Sequence, residues 1–478
     1  MEQDRAVVVV GGGAAGLMAA GQAASVGAPV LLLERTARLG SKLRLTGKGR
    51  CNLTNTAPLD EFLAHFAFPD PDSRSRYFLR NALARFFAPD LVAFFEELGV
   101  PTVVERGGRV FPASNDAHQV AEALIRFARQ QGVRVRLRSR VVRLLCQADR
   151  VQGVELEHGE QIAAGAVVLA TGGASYPKTG STGDGYRLAE QAGHTIVPIR
   201  PALVPLVCAG PECRAMMGLS LRNVEARLLL NGQEVARDFG EMLFTHYGVS
   251  GPIILTLSGP AVARLGQGRL EMSLNLKPGL DPAQLDARLR RDLEQFGRRS
   301  YRNLLKGLLP QKMIDVMVAR SGIPPDRLGH QITAGERARL RELLHDFRLE
   351  IVGHRPLEEA IVTAGGVDTL EVEPRTMASR RVAGLYFAGE LLDVQADTGG
   401  FNLQAAFSTG YVAGRAAAQF VREDNTIRIK LSDSSRTQGP ATGHPPAWMP
   451  PSAQADGRVA EGIAFGYPVR FPIARALA

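Results

Sequence analysis

The stretch Ala6-Val-Val-Val-Val10-Gly11-Gly-Gly13-Ala-Ala15-Gly16-Leu-Met-Ala-Ala20 decides how this chain folds. Four consecutive valines with no polar interruption read as a strand buried on both faces, because β-branched side chains suit the pleat. Gly11, Gly13 and Gly16 then follow the G-x-G-x-x-G spacing. The first permits a tight turn, the second lets a pyrophosphate approach the backbone, and the third lets the next helix pack against the sheet. That helix runs through Leu17, Ala20 and Ala24 and stops near Gly27. Its N-terminal amides and dipole face any phosphate held there. Pro29-Val-Leu-Leu-Leu33 makes a second strand, and Glu34 ends it, where a carboxylate accepts from a ribose 2′-hydroxyl and repels a 2′-phosphate. Strand, turn, helix, strand and acid in that order predict a dinucleotide site.

Bulk properties bound the rest. A chain of 478 residues is long enough for two or three domains. With 45% hydrophobic and 22% charged residues it has the composition of a soluble globular protein. No apolar run reaches the roughly 20 residues of a membrane span. The N-terminus lacks a secretory pattern, and the four cysteines (Cys51, Cys146, Cys208, Cys213) are too few and irregular for a disulfide framework. A cytoplasmic location is therefore expected. Cys208 and Cys213 have no second pair at zinc spacing, so no metal is expected. A net charge of +9 leaves an anionic partner open, nucleic acid included.

Outward from the opening unit, Lys42 to Asn55 forms a loop rich in glycine and cations directly after the ribose acid. Its glycines allow close approach to a ligand, and Lys42 and Arg50 can neutralise phosphate. Helical patterns cover 91–98 and 117–131. Val133 to Arg140 alternates strictly, which predicts a strand with Arg134, Arg136, Arg138 and Arg140 on one solvated face. A hairpin follows at 151–162, and Ala166-Val-Val-Leu-Ala170 makes another buried strand ending in Thr171-Gly172-Gly173. Short strands and turns from about 198 to 275 suggest a small β domain. From 281 to about 319 the chain turns helical and basic, with Tyr301 among Arg288, Arg290, Arg291, Arg298, Arg299, Arg302, Lys306 and Lys312. Such faces are usually just solvated, yet this one is the best surface for a polyanion. The core pattern returns at Ile361, Leu385 to Ala388 makes a strand, and 405–420 reads as a helix. Beyond 421 the composition shifts to Pro, Ser, Gln and Gly and predicts a disordered tail.

Several loops together resemble one family. They are Gly11 to Gly16, Glu34, Thr46-Gly-Lys-Gly-Arg-Cys-Asn-Leu-Thr-Asn55, Ala170 to Tyr186, Thr245-His-Tyr-Gly-Val-Ser-Gly-Pro252 and Gly389 to Gly414. They resemble the HI0933-like (BaiN/RdsA) flavoproteins, members of the two-dinucleotide-binding-domain FAD enzymes, over residues 6 to about 420.

The resemblance implies an α/β fold: a Rossmann-like FAD-binding domain carrying an inserted β-barrel-like domain and a helical subdomain. The implied division is 1–197 and 346–420 for the two parts of the FAD-binding domain, 198–280 for the β insert, 281–345 for the helical insert, and 421–478 for the tail. It implies FAD, with Gly11, Gly13, Ala15 and Gly16 at the pyrophosphate, Glu34 at the adenosine ribose and Val142 near the adenine. Lys42, Gly49, Arg50 and Asn52 would follow the ribityl chain. Ala170, Thr171, Gly172, Asp393 and Gly400 are further expected cofactor contacts. Gly389-Glu390 resembles a second FAD fingerprint, and Asn402 and Leu403 would bring a helix N-terminus to the reduced ring.

Family activities implied are reduction of uridine to dihydrouridine in 23S ribosomal RNA, reduction of C=C bonds in bile-acid intermediates, and amine oxidation. The lead expectation is the RNA ene-reductase, with ribosomal RNA bound through the basic helical insert and NAD(P)H as reductant. A small-molecule ene-reductase of bile-acid or enone type is next, then a flavin amine oxidase. A flavin-containing RNA-binding factor without turnover is the non-enzymatic alternative. For the proton donor the candidates are Cys51, in the loop beside the flavin, and His246 and Tyr247, in a family-specific loop of the insert. Each also has a purely structural reading, as a small buried hydrophobe or a hydrogen-bonded turn.

Overall fold

The computed structural model describes residues 6–66 and 74–436, excepting the side chains of 74–76, 425 and 427–436. Val7–Val10, buried along its length, is an interior strand of a seven-stranded sheet. It pairs in parallel with Val30–Leu33 on one side and Ala166–Leu169 on the other, and Leu385–Phe387 extends the parallel set. Arg134–Arg136 forms the far edge beside Val30–Leu33. Burial of both faces explains why these strands read as continuous apolar runs. Each buried valine contributes roughly 1.5–3 kcal/mol. The carboxyl ends of the parallel strands meet where Val7–Val10 lies between neighbours reached in opposite directions, the place such sheets bind ligands.

The alternating run 133–140 does not form the single strand its pattern predicts. Only Arg134–Arg136 pairs with the sheet, and Arg138 adopts a left-handed backbone at φ 53°. The chain turns there because the amides of Arg138 and Ser139 bond the carbonyls of Thr36 and Glu34. The four arginines therefore do not share a face.

The insert hangs on a two-stranded neck, Ile196–Ala202 paired antiparallel with Val362–Val367. Beyond it six strands close a barrel, in the order Leu206–Cys208, Gly248–Ser250, Gln233–Phe244, Ser220–Leu230, Leu270–Asn275 and Phe347–His354. Phe347–His354, which the sequence reading assigns to the returning FAD-binding domain, instead completes this barrel. The helices Pro282–Gln295, Tyr301–Leu305, Gln311–Ser321 and Ala334–His345 are thus inserted between two neighbouring barrel strands, and they share its apolar core.

The last helix is Phe401–Arg436, starting earlier and running further than the 405–420 pattern predicts. Residues 437–478, most of the expected disordered tail, lie outside the described residues. Among the described residues no helix is long and apolar enough to cross a membrane, and no His, Cys, Asp and Glu cluster could hold a metal.

Candidate functional site: a cleft from the glycine turn to the neck

A cleft of about 340 Å³ opens at the carboxyl ends of the parallel strands. At one end is the glycine turn. Gly11 donates to the Leu33 carbonyl at 2.8 Å, tying the turn to the second strand. A Cβ at Gly16 would sit 1.8 Å from the Gly11 carbonyl oxygen, so no larger residue fits where the helix crosses the turn. At Gly13 a Cβ would meet nothing within 4 Å, because that side of the backbone is open. Gly13 caps the helix Ala14–Ser25 without any side-chain cap, which leaves amides free for an anion.

Glu34 closes this end. Its carboxylate accepts from the amides of Gly12 and Thr36, both at 2.7 Å, so one buried acid fixes the phosphate turn and the ribose edge together. The turn at Arg138 brings Arg140 into the wall, where it bonds Asp184 at 2.9 Å opposite Arg35 at 2.8 Å.

In the middle of the cleft Lys42 Nζ lies 2.6 Å from Glu390 and 2.7 Å from Ser175 Oγ. Glu390 also accepts from the Thr363 amide at 2.8 Å, which links the cofactor wall to the neck. Two lining atoms, Asn52 Oδ1 and Thr171 Oγ1, are buried without a hydrogen-bond partner. A buried polar atom left unpaired costs about 1–3 kcal/mol.

The far end is built on the N-terminus of Phe401–Arg436. Gly400, at φ 100°, packs so closely that a Cβ would meet the Thr54 carbonyl oxygen at 2.5 Å. The Asn402 side chain accepts from the Ala396 amide and donates to the carbonyls of Ala396 and Asp397. It thereby pins the loop carrying Asp397, which faces the cleft beside Leu203 and Ile361 of the neck.

Of the residues expected at the cofactor, Gly11, Gly13, Ala15, Glu34, Lys42, Asn52, Ala170, Thr171, Gly172, Gly389, Glu390, Gly400, Asn402 and Leu403 line this cleft. Gly16 serves behind it as the contact point of helix and turn. Gly49 and Arg50 lie outside the wall. Arg50 turns away to Glu105 and to Asn115 Oδ1 at 2.7 Å, its guanidinium over the Phe111 ring. Val141, not Val142, lines the cleft, because side chains alternate along the strand. Asp393 lies away from the wall, where burial and the nearby Asp368 push its carboxyl up to about 6.

The three candidate proton donors are also off the wall. Cys51 is fully buried, and burial pushes its thiol up to about 12. His246 is exposed and Tyr247 half-buried in a barrel turn, with the Arg355 guanidinium over the tyrosine ring at 4.6 Å. Arg35, Ser139, Arg140, Asp184 and Asp397 are lining residues that spacing does not reveal, since long-range packing brings them in.

The open Gly13 backbone, the uncapped helix, the unpaired Asn52 and Thr171 atoms and the ribose acid fit the pyrophosphate, ribityl and ribose groups of FAD. Comparison with known proteins agrees. A model of the HI0933-like protein Rossmann domain matches residues 5–416. The chain is 36% identical to a 3-dehydro-bile acid delta(4,6)-reductase of Clostridium scindens over 86% of this chain and 98% of that protein. It is 31% identical to a ribosomal RNA dihydrouridine synthase of Escherichia coli over 85% of this chain and 96% of that one. A flavocytochrome c3 fumarate reductase in an open conformation shares the fold, with a TM-score of 0.50 at 17% identity over 87% of this chain and 78% of the other. With its glycine turn, ribose acid and barrel insert, the chain belongs to the HI0933-like family of FAD-binding Rossmann-fold oxidoreductases.

Proposed function

We propose that the protein is an FAD-dependent ene-reductase of a small conjugated carbonyl compound, with NAD(P)H as its reductant. The character of the cleft mouth carries this reading. Leu203 and Ile361 offer apolar surface there, and Asp397 faces the cleft. Asp238 of the barrel lies near Asp397, and burial together with that carboxylate pushes the Asp238 acid up. The apolar lining of Leu203 and Ile361 accommodates the carbon skeleton of an enone.

The insert supports the same reading. Arg290 and Arg337 pair with Asp286, Arg302 pairs with Asp315, and Lys312 donates to the Met217 carbonyl. Of the eight cations that read as a polyanion surface in the sequence, Arg288, Arg290 and Arg302 are paired with acids within the protein.

Bound FAD supplies a hydride equivalent for one carbon of the double bond. The chain supplies the rest. The glycine turn and helix dipole hold the pyrophosphate, Glu34 the ribose, and the N-terminus of Phe401–Arg436 stabilises negative charge on the reduced ring. Leu203 and Ile361 shield the reacting carbons from water.

The test is anaerobic NAD(P)H oxidation by the purified holoprotein with a 3-oxo-4,6-diene bile acid, followed by loss of the conjugated ultraviolet absorbance. Stoichiometric loss of both chromophores is expected, and nicotinamide oxidation without loss of the diene would overturn the reading.

A second reading, uridine reduction in 23S ribosomal RNA, is favoured by the similarity to ribosomal RNA dihydrouridine synthases. Nucleoside mass spectrometry of 23S RNA from cells with and without the gene decides it. Dihydrouridine lost with the gene and restored by the intact chain, but not by Gly13→Val, establishes RNA as substrate.

A further inference from the structure

Reduction of a C=C bond needs a proton at the carbon next to the one that receives hydride. The titratable groups of the cleft wall can be taken in turn. Glu34 is held by the amides of Gly12 and Thr36. Asp184 is held by Arg35 and Arg140. Glu390 and Lys42 pair with each other. No cysteine or tyrosine lines the wall.

Asp397 differs from all of these because its partner is a histidine. His65 Nδ1 lies 2.8 Å from Asp397 Oδ1 and 3.0 Å from Oδ2. Imidazole can give a proton at one ring nitrogen and accept one at the other, which neither an arginine nor a backbone amide does. The His65 side chain is 32% exposed and that of Asp397 18%, so the pair joins solvent to the cleft.

Both members are fixed to the same element. The His65 ring stacks on Phe401 with centroids 3.8 Å apart and planes 18° from parallel. Asn402, the next residue, bonds the Asp397 carbonyl and the Ala396 backbone. The helix end that faces the cofactor therefore also sets the position of the pair. The other charged groups facing Asp397 are Asp238, on the barrel strand, and Arg200, on the neck, which lines a small cavity that Asp397 and Gln395 share with it.

We propose that Asp397 is the catalytic acid that protonates the substrate carbon, and that His65 is the positioning residue that returns a proton to it. The proposal rests on the ene-reductase reading above. In the step, the Asp397 O–H bond breaks as a C–H bond forms, while hydride from the reduced cofactor forms the other C–H bond and the π bond is lost. The carboxylate left behind takes the Nδ1 proton of His65 as Nε2 takes one from water, and the imidazole returns to its Nδ1–H form by losing the Nε2 proton and regaining one at Nδ1 from solvent.

The experiment uses the full-length holoprotein, reduced anaerobically with dithionite and mixed with either of two oxidants in a stopped-flow instrument. A 3-oxo-4,6-diene bile acid needs the proton, and ferricyanide takes electrons alone. For Asp397→Asn, reoxidation by the diene is expected to slow about 10²- to 10⁴-fold with the ferricyanide rate unchanged. For His65→Gln, a smaller loss in kcat with KM unchanged is expected, with a flattened pH profile. Independently of turnover, nitrogen-15 NMR of the wild type should show His65 protonated at Nδ1, a preference that Asp397→Ala removes. Diene reoxidation at the wild-type rate in Asp397→Asn, or an unchanged His65 tautomer, overturns the proposal. Wild-type protein that the diene fails to reoxidise overturns the substrate reading instead, and both variants are then scored on uridine reduction.

Discussion

The glycine-turn half of the molecule and the barrel insert are specified in different ways. In the first, the opening strand, glycine turn, helix and second strand follow one another in sequence and pack directly together, with tolerances of fractions of an ångström. In the second, strands pair across long stretches of chain, as Leu206–Cys208 does with Phe347–His354. The first half is fixed by where an atom cannot fit, and the second by which apolar faces find each other. The cleft lies in the first half, and the insert side reaches it only through Leu203, Ile361 and Val362 at the neck.

The sharpest way to break this contrast is Gly16→Val. Its Cβ would lie 1.8 Å from a backbone oxygen, and backbone cannot step aside as a side chain can. Purified Gly16→Val is expected to carry no flavin, read as absent visible absorbance at full protein yield or as loss of soluble protein. A variant purified with stoichiometric flavin would show that the turn is not the constraint described here.

Asp393→Asn probes the same half through stability. Burial raises the carboxyl of Asp393 from 3.8 to about 6, with Asp368 adding to the rise. A raised carboxyl favours the folded protein fully below its unfolded value, and that contribution is lost as pH climbs through 6. A rise of about two units corresponds to about 3 kcal/mol at most. Wild-type stability in urea should therefore fall between about pH 4 and 6 by up to that amount. Asp393→Asn should flatten that stretch and be the more stable protein at pH 7. A wild-type profile with no slope there would place the carboxylate in a better-solvated site.

Glu34→Gln is a smaller change. The amide keeps one acceptor for the Gly12 or Thr36 amide and loses the charge shared between them. A charge-assisted hydrogen bond contributes about 1.5–3 kcal/mol, so FAD affinity should fall by about ten- to a hundredfold by fluorescence titration.

These effects mirror what the sequence could say. The parallel strands, glycine turn and Glu34 were legible because local chemistry dictates each one, whereas the N-terminal position of Asn402 comes from the family resemblance, since the local pattern starts that helix at 405. Arg140 was misread because its alternation looked like one strand, while the bonds from Arg138 and Ser139 to Thr36 and Glu34 that turn the chain span about a hundred residues. Phe347–His354 was assigned to the wrong half for a related reason: alternation marks a strand but not its partner. Cys51 was a fair acid candidate by its place in the loop, but a loop position does not tell whether a side chain points at the ligand or into the core. His65 and Asp397 lie more than three hundred residues apart, and neither carries a motif.

The mildest test lies in the insert. Arg290 pairs with Asp286 at 2.8 Å on a helix face, and its own side chain is 60% exposed. Exposed pairs of this kind contribute about 0–1 kcal/mol, since water screens the attraction and holding two long side chains costs entropy. Asp286 keeps Arg337 at 2.9 Å when Arg290 is lost, so no carboxylate is stranded. Arg290→Gln should therefore leave thermal unfolding within about 2 °C of wild type and leave diene reduction unchanged. The same variant separates the two substrate readings. If the insert grips RNA through unscreened cations, removing one should reduce the slope of log affinity against log salt by about one. With its charge already held by Asp286, the slope should stay where it is, and a reduced slope would move the RNA reading ahead of the enone.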